Sequence, residues 1–570
     1  MADLEHPPSA ARNDTSTSKP PSSENKDATG LSSDSSNSHH GSDEPIPHLH
    51  AKTFLAVFAV CLIYFAQLVS IVGAGVQGQT IGAHFNDTGK VVWFPGAIGI
   101  FTVVLGPIVS QAADYWGRKW FLVILTLLGG VGSCIVSRAS SINMAVAGFC
   151  IIGLAFGTQP LLHVVTAEIL PRRWRGWAQA CPSISITLGS LLGLFVGAAL
   201  NRNSNPTADG FRYYYYMTMG CFLLAAIICL VAYNPPPLPT QTQLTQAEKL
   251  AKLDWIGFFL FSSGLVLFSV GLSYSKNPYP WCDARVSATF ATGIALSLAL
   301  GAYETWIKRD GLFHHGLFSR NRNFPISLFC ISLEGLSFFA VNSYFSFQVS
   351  VFYEQDAMLV AVRYSFKFIF TALVSCVTAW YCARYRRVRW SSVVGFAILM
   401  AFFVCMATAG RGADHEVWGY AVLMGLSTPP ELLSIASGLF ISLRSLGGVV
   451  GLAIYNSVFN AEMSYVAEKV GDAVTGEGLA PENAGAFVAA LMKHNETGLA
   501  GIPGVTPGII ESGVDALMET YTVAFRNVWI TAGCFVAVAA IAAAFLVEEK
   551  NQFNMRIDNP IEKEEKLYSA

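Results

Sequence analysis

Charge is what this chain has least of. Only 13% of its 570 residues are Asp, Glu, Lys or Arg, about half the ~25% share of an ordinary soluble domain. Its 36 basic and 38 acidic residues nearly cancel, and the basic ones sit in short loops rather than in a patch, which argues against a nucleic-acid partner. There is no G-x-x-x-x-G-K-S/T phosphate loop and no clustered histidine box; His314-His315 is an isolated pair. An enzyme, a cofactor and a metal site are therefore not expected. Nearly all 12 cysteines lie inside apolar runs, with Cys282 the main exception, so no disulfide framework is implied. What fills the chain instead is apolar: 53% of residues are hydrophobic and mean hydropathy is +0.45. Runs of about 20 such residues, long enough to cross a ~30 Å hydrocarbon core, predict an all-α polytopic membrane protein.

The pattern is organised around Ser110-Gln-Ala-Ala-Asp114-Tyr-Trp-Gly117-Arg118-Lys119, a charged turn between two spans, Val91 to Ala112 and Trp120 to Val136. Charges so tightly packed between apolar runs belong at the membrane surface, with Gly117 permitting a sharp reversal. On pattern alone an ordinary positive-inside hairpin loop is an alternative. The turn resembles the loop between spans 2 and 3 of major facilitator transporters, G-x-x-x-D-R-x-G-R-R/K. Asp114, Gly117, Arg118 and Lys119 match, whereas Ser110 and Tyr115 replace the first Gly and the first Arg. That resemblance implies a cytoplasmic latch made by the four matching residues.

Residues 1–50 are rich in Ser, Asp, Asn, Pro and His and read as a disordered cytoplasmic tail, without signal-peptide features. Its His39, His40, His48 and His50 are read as solvated. Spans 1 to 6 form an N-terminal bundle over 51–233. Span 4, Ile142 to Thr166, carries Gln159, Pro160 and His163 at depth, where polar side chains face a cavity or a partner helix. Gln67 in span 1 joins them. Span 4 ends in Glu168-Ile-Leu-Pro171-Arg172-Arg173-Trp174-Arg175-Gly176, a turn similar to the family's loop between spans 4 and 5. Family members commonly place a proton-linked Arg early in span 4; Phe149 stands there, so that role is not carried over. In span 5, Gly189, Gly193 and Gly197 fall at four-residue spacing on one helical face. The stripe either packs helices closely or serves as the antiporter signature G-x-x-x-G-P-x-x-G-G that it resembles. Four tyrosines, Tyr213 to Tyr216, open span 6 and suit an interfacial belt.

A Pro-rich linker at 234–253, expected to be cytoplasmic, leads to two extra spans at 254–308. A C-terminal bundle at 309–548 follows, with a long, presumed extracellular loop at 461–526 and a cytoplasmic tail at 549–570. Span 9 places Glu334 near half depth, where a carboxylate is a functional candidate or a structural one bonded to a neighbouring helix. Asn342 continues its polar face. In span 10, Arg363 and Lys367 read as snorkelling outward. Arg444 in span 13 lies too deep for that, so a partner or bound anion is expected. Gly447 and Gly448 follow it as packing residues. Span 12, Val417 to Leu426, is only half a bilayer long before Thr428-Pro429-Pro430-Glu431 interrupts it, which suggests a truncated span or a missing segment. Basic residues concentrate in the even-numbered loops, which places those inside. The sequons at Asn86 and Asn495 then fall outside, as N-glycosylation candidates.

Two spans between six-span halves resemble the fourteen-span drug:proton antiporters. The wording around Gln67, Gly73 and Gly75, around Glu168-Ile-Leu-Pro171, and at Arg444-Ser-Leu-Gly447-Gly448 is similar to the fungal branch of trichothecene efflux pumps and siderophore carriers. The resemblance implies a monomeric, plasma-membrane exporter of small amphipathic metabolites, coupled to protons, with Gln67, Gln159, His163, Glu334, Asn342 and Arg444 along the pathway. A siderophore importer of the same fold and a non-transporting membrane sensor are the alternatives.

Overall fold

The computed structural model describes residues 50–87, 90–91, 93–202, 209–237, 239–274, 280–308, 322–354, 356–427, 437–492, 499, 501–548 and 557. The N-terminal tail, His314-His315, the Thr428-to-Glu431 interruption, Asn495 and the C-terminal tail lie outside them. Among the described residues the structure is helical, and thirteen helices are long and apolar enough to cross a membrane. The chain is thus an all-α, multi-pass membrane protein.

Spans 1 to 6 are Ala51–Val76, Trp93–Trp116, Arg118–Ser137, Ile142–Ile169, Arg172–Asn201 and Gly210–Ala232. Span 1 packs on spans 5 and 6, and span 3 on spans 4 and 6. The glycine stripe explains the closeness of spans 1 and 5. A Cβ at Gly189 would lie 2.5 Å from the Phe65 carbonyl oxygen, and one at Gly197 2.8 Å from Val76. A Cβ at Gly193 would lie 2.8 Å from the Tyr214 hydroxyl and 3.2 Å from Val72. Phe149 is core: it stacks on Phe94 at 4.5 Å and meets Tyr215 edge-on. The four tyrosines are not a belt. Tyr214 and Tyr215 are fully buried, and the Tyr214 hydroxyl donates to the Val69 carbonyl at 2.6 Å, while Tyr213 alone is strongly exposed.

In the linker, Thr245 and Glu248 form a capping box on the helix Gln246–Lys252. The Thr245 backbone amide and hydroxyl hold the exposed Glu248 carboxyl below its usual range. The extra pair, Trp255–Leu272 and Ala284–Ile307, packs chiefly on itself. Its Phe261, Leu265 and Leu300 cluster with Val103 of span 2 and Leu446 of span 13.

Spans 9, 10 and 11 are Asn323–Phe352, Ala357–Tyr385 and Arg389–Thr408. The short span 12 is Asp414–Leu426, 13 residues, or ~20 Å at 1.5 Å per residue. It packs on spans 10 and 11. Span 13 is described over Ser437–Met463. It meets span 9 almost backbone to backbone: a Cβ at Gly335 would lie 2.0 Å from the Arg444 carbonyl oxygen, and one at Gly447 2.2 Å from that of Ser332. Gly448 faces the Phe339 ring at 2.2 Å in the same sense.

The stretch 461–526, expected as a loop, is largely helical. Val466–Gly476 and Pro481–Met492 form helices, and span 14 begins at Pro507 and runs 38 residues to Ala544. That length, ~57 Å, is nearly twice a hydrocarbon core. The surplus packs with the two helices around Val470, Val474, Phe487, Leu491 and Leu517. Valines at helical spacing, with leucines and Phe487, supply this core. Asn86 is exposed and holds a left-handed φ of 53°, a conformation open to asparagine.

The tight crossing of spans 9 and 13 makes Gly447→Ala an overpacking change, worth about 1–3 kcal/mol. A melt of purified protein should show a clearly lowered Tm for Gly447→Ala. Gly75→Ala, which meets nothing within 4 Å, should leave Tm unchanged.

Candidate functional site

Among the described residues, the candidate site residues fall into three polar assemblies: one at the end of the bundle carrying the span 2–3 turn, one inside the N-terminal half and one inside the C-terminal half.

At the turn, Gly117 adopts φ 94°, a left-handed value favouring glycine, so span 3 starts with Arg118. The buried Arg118 guanidinium reaches Asp114 at 3.2 Å, one helical turn back, and grips both oxygens of Glu168, with Nη2 at 2.9 Å from Oε1. Glu168 closes span 4, so the clamp joins spans 2, 3 and 4. Sequence reasoning had Asp114 and Arg118 but assigned Glu168 no part, since only the fold brings it across 50 residues. Lys119 points elsewhere: it bonds Asn234 at the linker and lies 5.9 Å from the Trp120 ring centroid.

In the N-terminal half, span 4 is broken. Its first piece ends at Phe156 and its second begins at Gln159, with Pro160 in the first turn. Proline lacks an amide hydrogen and crowds the preceding turn, and the freed groups must find partners away from water. Gln67, fully buried, supplies one. Its Nε2 donates to the Ala155 carbonyl at 2.8 Å and the Thr158 hydroxyl at 2.9 Å. Gln159 is half-buried beside the break. One turn on, buried His163 has Nδ1 at 2.7 Å from Gln179 Oε1 and meets Tyr64 edge-on at 5.3 Å. Spans 1, 4 and 5 therefore share this cluster.

In the C-terminal half, Glu334 accepts two bonds from Arg444, Nε at 2.5 Å and Nη2 at 2.9 Å. This fork geometry is the strong form of the ion pair. It sits beside the Gly335 and Gly447 contacts, where spans 9 and 13 are closest. Asn342 is two turns further along span 9. Its Oδ1 accepts from Lys367 Nζ at 2.5 Å and from the Tyr364 hydroxyl, and its Nδ2 donates to the Phe338 carbonyl at 2.7 Å. Lys367 does not snorkel. It is 6% exposed, and its ammonium lies 4.6 Å from the Phe338 ring centroid, the same distance as the Arg444 guanidinium. Arg363 is buried too, held by Asp414 at 2.5 Å and Glu354 at 3.8 Å and lying over Trp418. Anchoring to partners replaces the snorkelling expected for both. For Lys367 the missed signal was its place four residues beyond Arg363, one turn deeper into the span.

The two interior clusters belong to different halves of the chain. Between them lies a seam made by span 5 on span 10, span 2 on span 13, and the second piece of span 4 on span 13. The Thr187 hydroxyl donates to the Phe368 carbonyl across it at 3.0 Å. Nearer the clamp, a Cβ at Gly176 would touch the Ala379 backbone at 3.0 Å. Among the described residues no group of His, Cys, Asp and Glu is placed to hold a metal.

Comparison with known proteins adds four findings. The family model of the Major Facilitator Superfamily matches residues 53–452. The trichothecene efflux pump TRI12 of Fusarium sporotrichioides is 22% identical over 494 residues, 82% of this chain and 80% of that protein. The MFS efflux transporter aclA of Aspergillus oryzae is 24% identical over 532 residues, 87% and 89% of the two chains. Among solved structures, the proton:xylose symporter XylE bound to 6-bromo-6-deoxy-D-glucose aligns with a TM-score of 0.50 at 12% identity. It covers 89% of this chain and 98% of that one, a likeness of fold alone.

Removing one member of the Glu334–Arg444 pair leaves a charge stranded inside the bundle. The loss should fall below the ~3–5 kcal/mol of a fully buried pair, because 27% of the Arg444 side chain stays exposed. Glu334→Met and Arg444→Met should each lower Tm and folded yield more than the double variant does. Additive losses would show that the pair is not coupled.

Proposed function

Because the chain belongs to the Major Facilitator Superfamily, we propose that it exports small amphipathic organic compounds across the plasma membrane by alternating access, in exchange for protons. The observation that carries this reading is the pairing of two interior polar clusters, one per half, on either side of a seam of packed helices. A seam can open at one end and close at the other while each half keeps its own core. Gln159, His163, Glu334, Asn342 and Arg444 then line the pathway. Gln67 serves it by holding the break in span 4.

Asp114, Gly117 and Arg118, with Glu168, form the cytoplasmic gate, since the clamp ties three helix ends that must move as one body. Lys119 anchors the linker to the same end. Glu334 is the proton site: in spans 1 to 6 no carboxylate lies at comparable depth. Parting Arg444 from it during the transport cycle would leave a lone carboxylate that a proton neutralises. Export is favoured over siderophore import by the relatives named as efflux proteins. Asn86, exposed in its left-handed turn, is the outward glycosylation site, with Asn495 as its counterpart.

In proteoliposomes, an imposed pH gradient should drive accumulation of an exported compound by the wild type. Glu334→Gln should lose that drive and keep exchange of labelled for unlabelled compound. Unchanged pH-driven transport by a folded Glu334→Gln protein would remove Glu334 from coupling. Equal cellular accumulation of a broad panel of toxins with and without the protein would sink export itself. Orientation has its own check: a glycosidase-sensitive mobility shift should shrink in Asn86→Gln and vanish in Asn86→Gln/Asn495→Gln. A wild type without that shift from a glycosylating host would count against the outward placement.

A further inference from the structure

We propose that Lys367 is the recognition point for an anionic group, a carboxylate or an ionised enol or phenol, on the exported compound. This rests on the transport reading above and narrows its substrate class. Among the described residues, three of the Asp, Glu, Lys and Arg side chains stand well inside the spans of the two halves: Glu334, Lys367 and Arg444. Spans 1 to 6 carry Asp, Glu, Lys or Arg only near their ends. Glu334 is committed to Arg444 through both of its oxygens. Lys367 is left with neutral partners, Asn342 Oδ1 at 2.5 Å and the Tyr364 hydroxyl at 3.3 Å, and with the ring faces of Phe338, Tyr364 and Phe368 at 4.6 to 5.2 Å.

An ammonium has three donors, and two of them are used. Among the described residues no carboxylate lies within ion-pair distance of Lys367, so its amine, when protonated, has no negative partner in the cluster. Ring faces and amide oxygens offset only part of the cost of holding a cation away from water. An anion would complete it. Arg444 lies against the same Phe338 ring and keeps 27% of its side chain exposed, so one edge of the cluster is not covered by protein.

The aromatic faces around the ammonium set the other half of the specificity, an apolar ring system joined to the anionic group. Asn342 is itself fixed by its bond to the Phe338 carbonyl, and it holds Nζ in place before any ligand arrives, which lowers the ordering cost of binding. Export of such an anion from a cell with a negative interior is assisted by the membrane potential.

The test uses the full-length protein in nanodiscs and matched pairs of ligands: 1-naphthoate with 1-naphthamide, and 9-anthroate with 9-anthramide. Wild type should bind each carboxylate at least tenfold tighter than its amide. Lys367→Met should bring the carboxylate down to the amide's affinity and leave the amide unchanged, whereas Lys367→Arg should keep most of the preference. Should Lys367→Met not fold, Lys367→Arg and Tyr364→Phe carry the comparison, Tyr364→Phe being expected to weaken the carboxylate two- to fivefold. Equal affinity within both pairs in the wild type overturns the anion site, as does a preference that survives Lys367→Met. Cellular export measured alongside separates the two readings. Export without carboxylate preference removes this inference and leaves the transporter standing; carboxylate preference without export of any compound keeps the site and removes the exporter.

Discussion

The fork between Arg444 and Glu334 is the contact on which the C-terminal half turns. A guanidinium and a carboxylate taken from water lose hydration worth several kcal/mol each, and only close, two-pronged geometry recovers it. That geometry is available because Gly335 and Gly447 let the backbones of spans 9 and 13 nearly touch. Side chains there would push the helices apart and stretch both bonds. Span 13 also forms the seam with spans 2 and 4, so a rearrangement at this pair is felt where the halves meet. Charge, packing and motion are thus one problem solved at one crossing.

The N-terminal half solves a different problem with neutral groups. Its broken span exposes carbonyls that no water reaches, and Gln67 answers them with an amide. An amide satisfies a backbone group without carrying a charge into the bundle, so the half can hold an interrupted helix. The consequence is an electrical asymmetry between halves that pack alike. A neutral polar cluster stands on one side of the seam and a charged one on the other.

What could be read from the residues followed from how local the signal was. Apolar runs of bilayer length announce spans, and glycines four apart announce a close helix face, because both depend only on neighbours in sequence. Arg444 could be marked as needing a partner from its depth alone. Glu168 could not be marked, because its meaning comes from the Arg118 that folding brings to it. Tyr214 and Tyr215 were misread since a tyrosine at a span end is as compatible with the core as with the interface; the Val69 carbonyl decided it. The segment at 461–526 was misread for a related reason. Its valines at 466, 470 and 474 form a helical stripe, but glycines between such stripes read as a loop until a third helix, the long start of span 14, covers them.

Lys367 is the instructive case. A lysine near a span end has two ways to lower its energy: stretch to water or gather neutral partners. Stretching needs a free path, and here the ring faces of Phe338, Tyr364 and Phe368 close around the stem and the ammonium. One turn outward, Arg363 already occupies the outer position with two carboxylates, Glu354 and Asp414. With that place taken, Lys367 must face inward, and with Glu334 already spoken for it must do so without a negative partner. An uncompensated cation at this depth is expensive enough that a stable fold would replace it with an apolar side chain of similar volume unless something else used the charge. The bundle keeps it beside a pair in which 27% of the Arg444 side chain stays uncovered, the placement that the proposed anion would need.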